Sequence, residues 1–233
     1  MDKIELKAPE SWAELSLDDF RFVAKFMMEN LSREEFLIIM FCHFTGVKIV
    51  RSDGELYKFV HDGKIFFLSN PEVADLCGRF SWLYDTAPDV VPNPSKMDAM
   101  IRDMSFIEYY KTDVQMRLYE KDRDLAHFDT ILPLLNEEVR SVDADEALVY
   151  SMWWHTVETM LMRRYPNVFR QSDGGSEDGD PFGTLQNIHL MLNDNRPQDN
   201  AQIDNANVHD VLSALNNKME EIRFKNEQIE KMK

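Results

Sequence analysis

The sequence predicts a mainly α protein: a helical domain that holds a small three-stranded antiparallel β-meander, with an amphipathic C-terminal helix. Three observations carry that expectation. In residues 208–233, Val208, Leu215, Ile222 and Ile229 recur every seven residues, with Leu212 and Met219 four places after the first two. That period lines all six along one side of a helix. Ser32-Arg33-Glu34-Glu35 sets a hydroxyl cap three residues before a glutamate, at the head of an apolar run, which is how a capping box reads. Between 47 and 68, short β-favouring runs are separated by Asp53-Gly54 and Asp62-Gly63. Asp-Gly supplies the positive φ angles of tight hairpin turns.

Taken in order, Ser16 caps a segment with apolar Leu17, Phe20, Val23, Ala24 and Met27 and has Asp19 three residues on. Ser32 then opens Phe36-Leu37-Ile38-Ile39-Met40-Phe41, apolar on every side and therefore central to a core. Residues 16–45 read as a helical hairpin ended at Gly46. The meander follows as 47–50, 56–60 and 64–68. Ser69-Asn70-Pro71 restarts a helix with proline in its first turn and Val73, Leu76, Cys77, Phe80 and Leu83 on its buried side. Three prolines make 85–95 a loop. Met97, Met100, Ile101, Met104 and Ile107 then set a helical stripe that continues through Val114 and Leu118. The charged 119–129 reads as exposed helix, interrupted at Pro133, and 134–142 is ambiguous. Residues 143–165 form a helix stopped by Pro166, with one ring of Trp153-Trp154 near the edge of its stripe. The acidic 171–183 reads as a surface loop, 184–192 as a short helix, and 193–207 as a polar linker. The expected organisation is a helical domain over 1–170, linkers around a short helix over 171–207, and the terminal helix over 208–233.

Composition narrows the functions. The chain has 233 residues, 44% apolar, enough to bury a core. With 26 basic against 42 acidic residues the net charge is −16. Cations supply nucleic-acid affinity through counterion release, so no direct nucleic-acid partner is expected. Anionic membrane surfaces are disfavoured for the same reason, and no run approaches the ~20 apolar residues of a membrane span. The first twelve residues contain no signal-peptide core, so an intracellular protein is expected. Cys42 and Cys77 then read as reduced buried thiols, and Ser32 as a helix cap rather than part of a glycosylation sequon. Fourteen methionines suit either an ordinary core or an adaptable binding surface.

Chemistry is sparsely signalled. His155-x-x-Glu158 and Asp124-x-x-His127 each place two candidate ligands on one helix side, short of the three or four a transition metal needs. The acidic loop departs from the calcium-loop template at Gly175, Asp178 and Thr184. No phosphate-cradling glycine motif, zinc-protease motif or nucleophile elbow occurs. Cys42 beside His43 is no dyad, because neighbouring helical residues diverge. No catalytic residue, metal or cofactor is expected. The candidate binding residues are Val208, Leu212, Leu215, Met219, Ile222 and Ile229, as a one-sided helix that docks a protein partner or a second copy of the chain; the alternative is that the helix lies on the chain's own core. Removing 208–233 is then expected to leave a folded body.

Trp12-Ala13-Glu14-Leu15 opens the helical body, and a polar stretch precedes a terminal helix running from His209 through Glu221. In these features, over residues 10–45 and 185–233, the chain resembles tail assembly chaperones encoded near the tape measure in tailed phages and prophages of gut bacteria. The resemblance implies a cytoplasmic, non-enzymatic assembly factor of the bacterial host cell, able to stay with the virion, that holds a long helical tape measure protein. It brings no catalytic residues. The alternatives are an acidic inhibitor that mimics DNA, and an enzyme with an unrecognised site.

Overall fold

Serine caps decide where several helices begin. Ser16, Ser32 and Ser105 each accept from the backbone N–H three residues on, while Asp19, Glu35 and Glu108 reach back to the serine N–H. The Ser32 N–H donates to Glu35 at 2.9 Å and holds that carboxyl below its usual range. The computed structural model describes residues 6–52, 54–88, 90–169, 181–193 and 196–231. Among them are ten α-helices and one three-stranded antiparallel sheet, as the sequence predicts. The expected loop lies, over 171–180, outside the described residues.

The chain divides into two compact units. The first comprises the described residues up to Pro92 together with Ala144–Val149. In it, α1 (Leu17–Met27) and α2 (Arg33–Thr45) form the expected hairpin, ended by Gly46 at φ 68°. Strands β1 (Lys48–Ser52), β2 (Leu56–His61) and β3 (Lys64–Ser69) follow in the order β1-β2-β3. Asp62 and Gly63 turn β2 into β3 with φ of 48° and 73°, the paired positive angles of a type I′ turn. Phe59 is wholly buried, 5.5 Å from Phe66 and edge-on to Phe41 at 6.0 Å. Helices α3 (Asn70–Gly78) and α4 (Trp82–Asp85) bring Trp82 to 5.3 Å from Trp12, itself 5.3 Å from Phe20.

The second unit holds the described residues of 93–143 and from Tyr150 onward. The helix expected across Met97–Met104 does not form. Asn93 and Asp98 side chains accept from the backbone N–H groups of Ser95 and Met100, offering the chain turns in place of a helical ladder. Ile101 takes a positive φ of 49°. Helix α5 (Phe106–Asp122) starts only after Ser105, at a Ser-x-x-Glu the sequence displays plainly. Met97, Ile101 and Met104 are buried, so they fill the core and present no free binding face.

Helix α6 (Phe128–Leu134) accommodates Pro133 in its last turn. Helix α7 (Ala144–Arg164) buries both Trp153 and Trp154, the ring expected near the edge of the stripe included, because the covered stripe is broad: Val149, Tyr150, Val157 and Leu161 are buried too. Helices α8 (Pro181–Leu192), α9 (Asn200–Asn205) and α10 (Val208–Lys231) complete the unit. The polar stretch expected to be a linker is folded. The Phe106 N–H donates to the Ala206 carbonyl at 2.9 Å, the Val208 N–H to that of Met104 at 3.0 Å, and Asn207 to that of Arg102. His189, 8% exposed, meets Asp204 at 2.7 Å. Side chains and backbone here satisfy one another, which lets polar sequence pack.

Replacing Ser32 by Ala should lower stability by about 1 kcal/mol, the usual worth of an N-cap hydroxyl, with the helix boundaries unchanged. A urea midpoint with an unaltered slope measures it.

Candidate protein-docking site

Helix α10 is sealed along its first half and bare along its second. Val208, Leu212 and Leu215 are 0, 2 and 1% exposed, and Val211, which the sequence reading left out, joins them at 4%. Met219 is half-buried, whereas Ile222 and Ile229 are 41 and 49% exposed. The first two turns pack on α5 and α8. His209 there bonds to the Met100 carbonyl at 2.8 Å and to the Tyr165 hydroxyl at 3.0 Å. The Asn167 N–H reaches Asn216 at 2.9 Å, and the Asn167 side chain accepts from Arg223 at 3.4 Å. Val208, Leu212 and Leu215 are therefore core residues and not a free docking surface. Periodicity reveals that a helix has an apolar side; it carries no information on what covers that side.

Beyond Met219 the helix runs twelve more residues, to Lys231, about 18 Å at 1.5 Å per residue. Arg223 sits 3.9 Å from both Glu220 and Glu227, pairs that support a helix in solvent. Phe224, 60% exposed, adds apolar surface beside the stripe. The opposite partner of such a stripe would be another apolar helix side. One lies on α5, where Ile107, Tyr110, Val114 and Leu118, with Leu185 of α8, line a cavity of about 430 Å³.

A different side of α5 carries a polar cluster. Arg117 bridges Asp113 at 3.0 Å and Glu158 of α7 at 3.1 Å, and the Trp154 indole N–H donates to Asp113 at 3.4 Å. His155 stands 3.7 Å from Glu158. Burial pushes the Glu158 carboxyl up to about 8, helped by the charge of Asp113 and the hydrogen bond with it, and opposed by Arg117. Burial thus favours the neutral form of Glu158, while the cavity on α5 is lined by neither Glu158 nor Asp113.

The remaining candidates are accounted for by ordinary partners. His127 bonds to Gln115 at 2.8 Å and Asp122 at 3.1 Å, while Asp124 caps the Ala126 N–H. His43 stacks on Phe22 at 3.6 Å and bonds to Asp19 at 3.0 Å, its imidazole turned to α1 and not to Cys42. Both cysteines are free thiols, and burial, then the neighbouring Cys42, pushes Cys77 up to about 12. A thiol so placed is protonated and unreactive at neutral pH. Among the described residues, no three His, Cys, Asp or Glu gather as a metal would require.

No family model, curated protein or solved structure matches this chain. Among the described residues, no helix is long and apolar enough to cross a membrane.

Glu158 binds its proton more tightly folded than unfolded, so between its ordinary value near 4.5 and about 8 the folded state holds more protons. Stability should then fall as pH rises through that window and level off above it. Glu158→Gln keeps the shape and removes the titration, so its urea midpoint should change less between pH about 5 and about 9 than that of the parent.

Proposed function

We propose that this chain is a non-enzymatic assembly protein that binds an apolar helical partner, such as a phage tape measure protein during tail assembly in the bacterial cytoplasm. The observation that carries this reading is the division of α10, whose apolar stripe continues through Ile222 and Ile229 beyond the last residues of the body that cover it. A stripe left bare over several turns suits helix-against-helix docking, in which residues at such spacing are the anchors. The flanking ion pairs of Arg223 keep the segment helical before a partner arrives, which lowers the ordering penalty of binding. The high net charge of −16 keeps a chain with bare apolar surface soluble.

The reading turns on a variant that touches only the bare half. In the full chain, Ile222→Asp with Ile229→Asp should preserve helix content and melting temperature. The same change should weaken capture of a co-expressed tape measure protein at least about tenfold, two buried aliphatic anchors being worth well over 1.4 kcal/mol together. Capture unchanged by the double substitution overturns the proposal. Removing residues 218–233 should act like the double variant, whereas removing 208–233 strips four core side chains and should unfold the second unit. Each such aliphatic loss is worth about 2–5 kcal/mol. Circular dichroism and limited proteolysis of the two truncations separate these outcomes.

A further inference from the structure

The outer side of the β-meander sets cations among exposed apolar side chains. Lys48 stands opposite Val60, Arg51 opposite Lys58, Lys58 opposite Phe67, and Val60 opposite Ile65. Directly opposed residues share one side of a sheet, and Leu56, two places before Lys58, shares it as well. The inner side carries Tyr57, Phe59 and Phe66, with Phe59 against Phe41. The outer side therefore interleaves Lys48, Arg51 and Lys58 with Leu56, Val60, Ile65 and Phe67. Leu56, Ile65 and Phe67 are 45, 57 and 60% exposed.

Charge makes this side unusual. The chain has 42 acidic residues against 26 basic ones, yet β1, β2 and β3 contain no Asp or Glu. Among the described residues, no ion pair engages Lys48, Arg51 or Lys58. Several apolar side chains left bare together mark an interaction surface more often than chance exposure does. Cations around an apolar centre repeat the rim and core of a protein interface.

We propose that this side of the sheet binds an acidic protein segment that also carries apolar side chains. Carboxylates of the segment pair with Lys48, Arg51 and Lys58, and its apolar residues cover Ile65 and Phe67. A second copy applied through the same side would set cations against cations, since a two-fold contact pairs a patch with itself. A single nucleic-acid strand needs successive rings on which bases stack; Phe67 is the one aromatic residue on this side. Three cations on a chain of net charge −16 would also release few counterions. The proposal stands on the first unit alone and does not depend on α10.

The test is fluorescence anisotropy of the full chain with a labelled peptide that alternates Glu or Asp with Leu or Phe. The same peptide with Lys for each acid and an oligothymidylate serve as comparisons. The acidic peptide should bind, more weakly as salt rises. Its affinity should fall about tenfold or more in Lys48→Glu/Arg51→Glu/Lys58→Glu, which replaces three attractions by repulsions. Phe67→Ser should weaken it severalfold, and Ile222→Asp/Ile229→Asp should leave it unchanged. Lys58 is half-buried and the other positions are exposed, and circular dichroism verifies that the variants fold. Absence of binding, or binding indifferent to the charge-reversal and Phe67 variants, overturns the proposal. Tighter binding of the oligothymidylate overturns it in favour of a nucleic-acid surface. Sedimentation showing self-association of the parent, abolished by charge reversal, overturns it in favour of a second copy.

Discussion

The docking of the first two turns of α10 is the constraint from which the second unit takes its form. Val208, Val211, Leu212 and Leu215 give up nearly all their exposure there. The backbone bonds Phe106 N–H to Ala206 and Val208 N–H to Met104 fasten the start of α10 to the start of α5, a hundred residues earlier in the chain. Burying four aliphatic side chains contributes several kcal/mol, a large share of the 5–15 kcal/mol typical of a domain. This same contact limits where binding can occur, because apolar area spent on the fold is not free for a partner. What stays bare on this helix is the overhang, and its position follows from where the body stops.

Polar groups show a matching economy. Part of the acidic excess is relieved locally: Asp19, Glu35, Glu72 and Glu108 lie at helix starts, where serine N–H groups and the helix dipole favour a carboxylate. Glu158 is the exception. It is buried beside Asp113, and Arg117, itself largely exposed, reaches both but does not offset the desolvation. Burial and the neighbouring Asp113 therefore raise its proton affinity, the usual outcome when two carboxylates share a dry place. The β-meander departs in the other direction, with cations alone among its strands.

Local chemistry was readable without coordinates wherever a short stretch satisfies itself. The hairpin of α1 and α2, its stop at Gly46, the Asp62-Gly63 turn and the start of α3 each rest on interactions spanning fewer than six residues. The reading failed where two local rules compete. Met97, Met100, Ile101 and Met104 have helical spacing, yet Asn93 and Asp98 capture the backbone first, and the capping box at Ser105 was the better signal. It failed again at 193–207, whose Asn and Asp residues suggest solvent, yet Asn193 bonds to Asn200, Asp204 to His189 and Asn207 to the Arg102 carbonyl.

By itself the sequence determined the helical class, the meander and its turns, the amphipathic terminal helix and the acidic balance, because each depends on near neighbours or on composition. Tertiary structure alone decided which half of the α10 stripe is core and which is bare, that both tryptophans of α7 are buried, and that burial raises the proton affinity of Glu158. It also decided that Lys48, Arg51 and Lys58 face one way. The physical reason is common to all four. Burial and strand register are set by chain segments tens of residues away, and a residue's own neighbours in sequence carry no record of them.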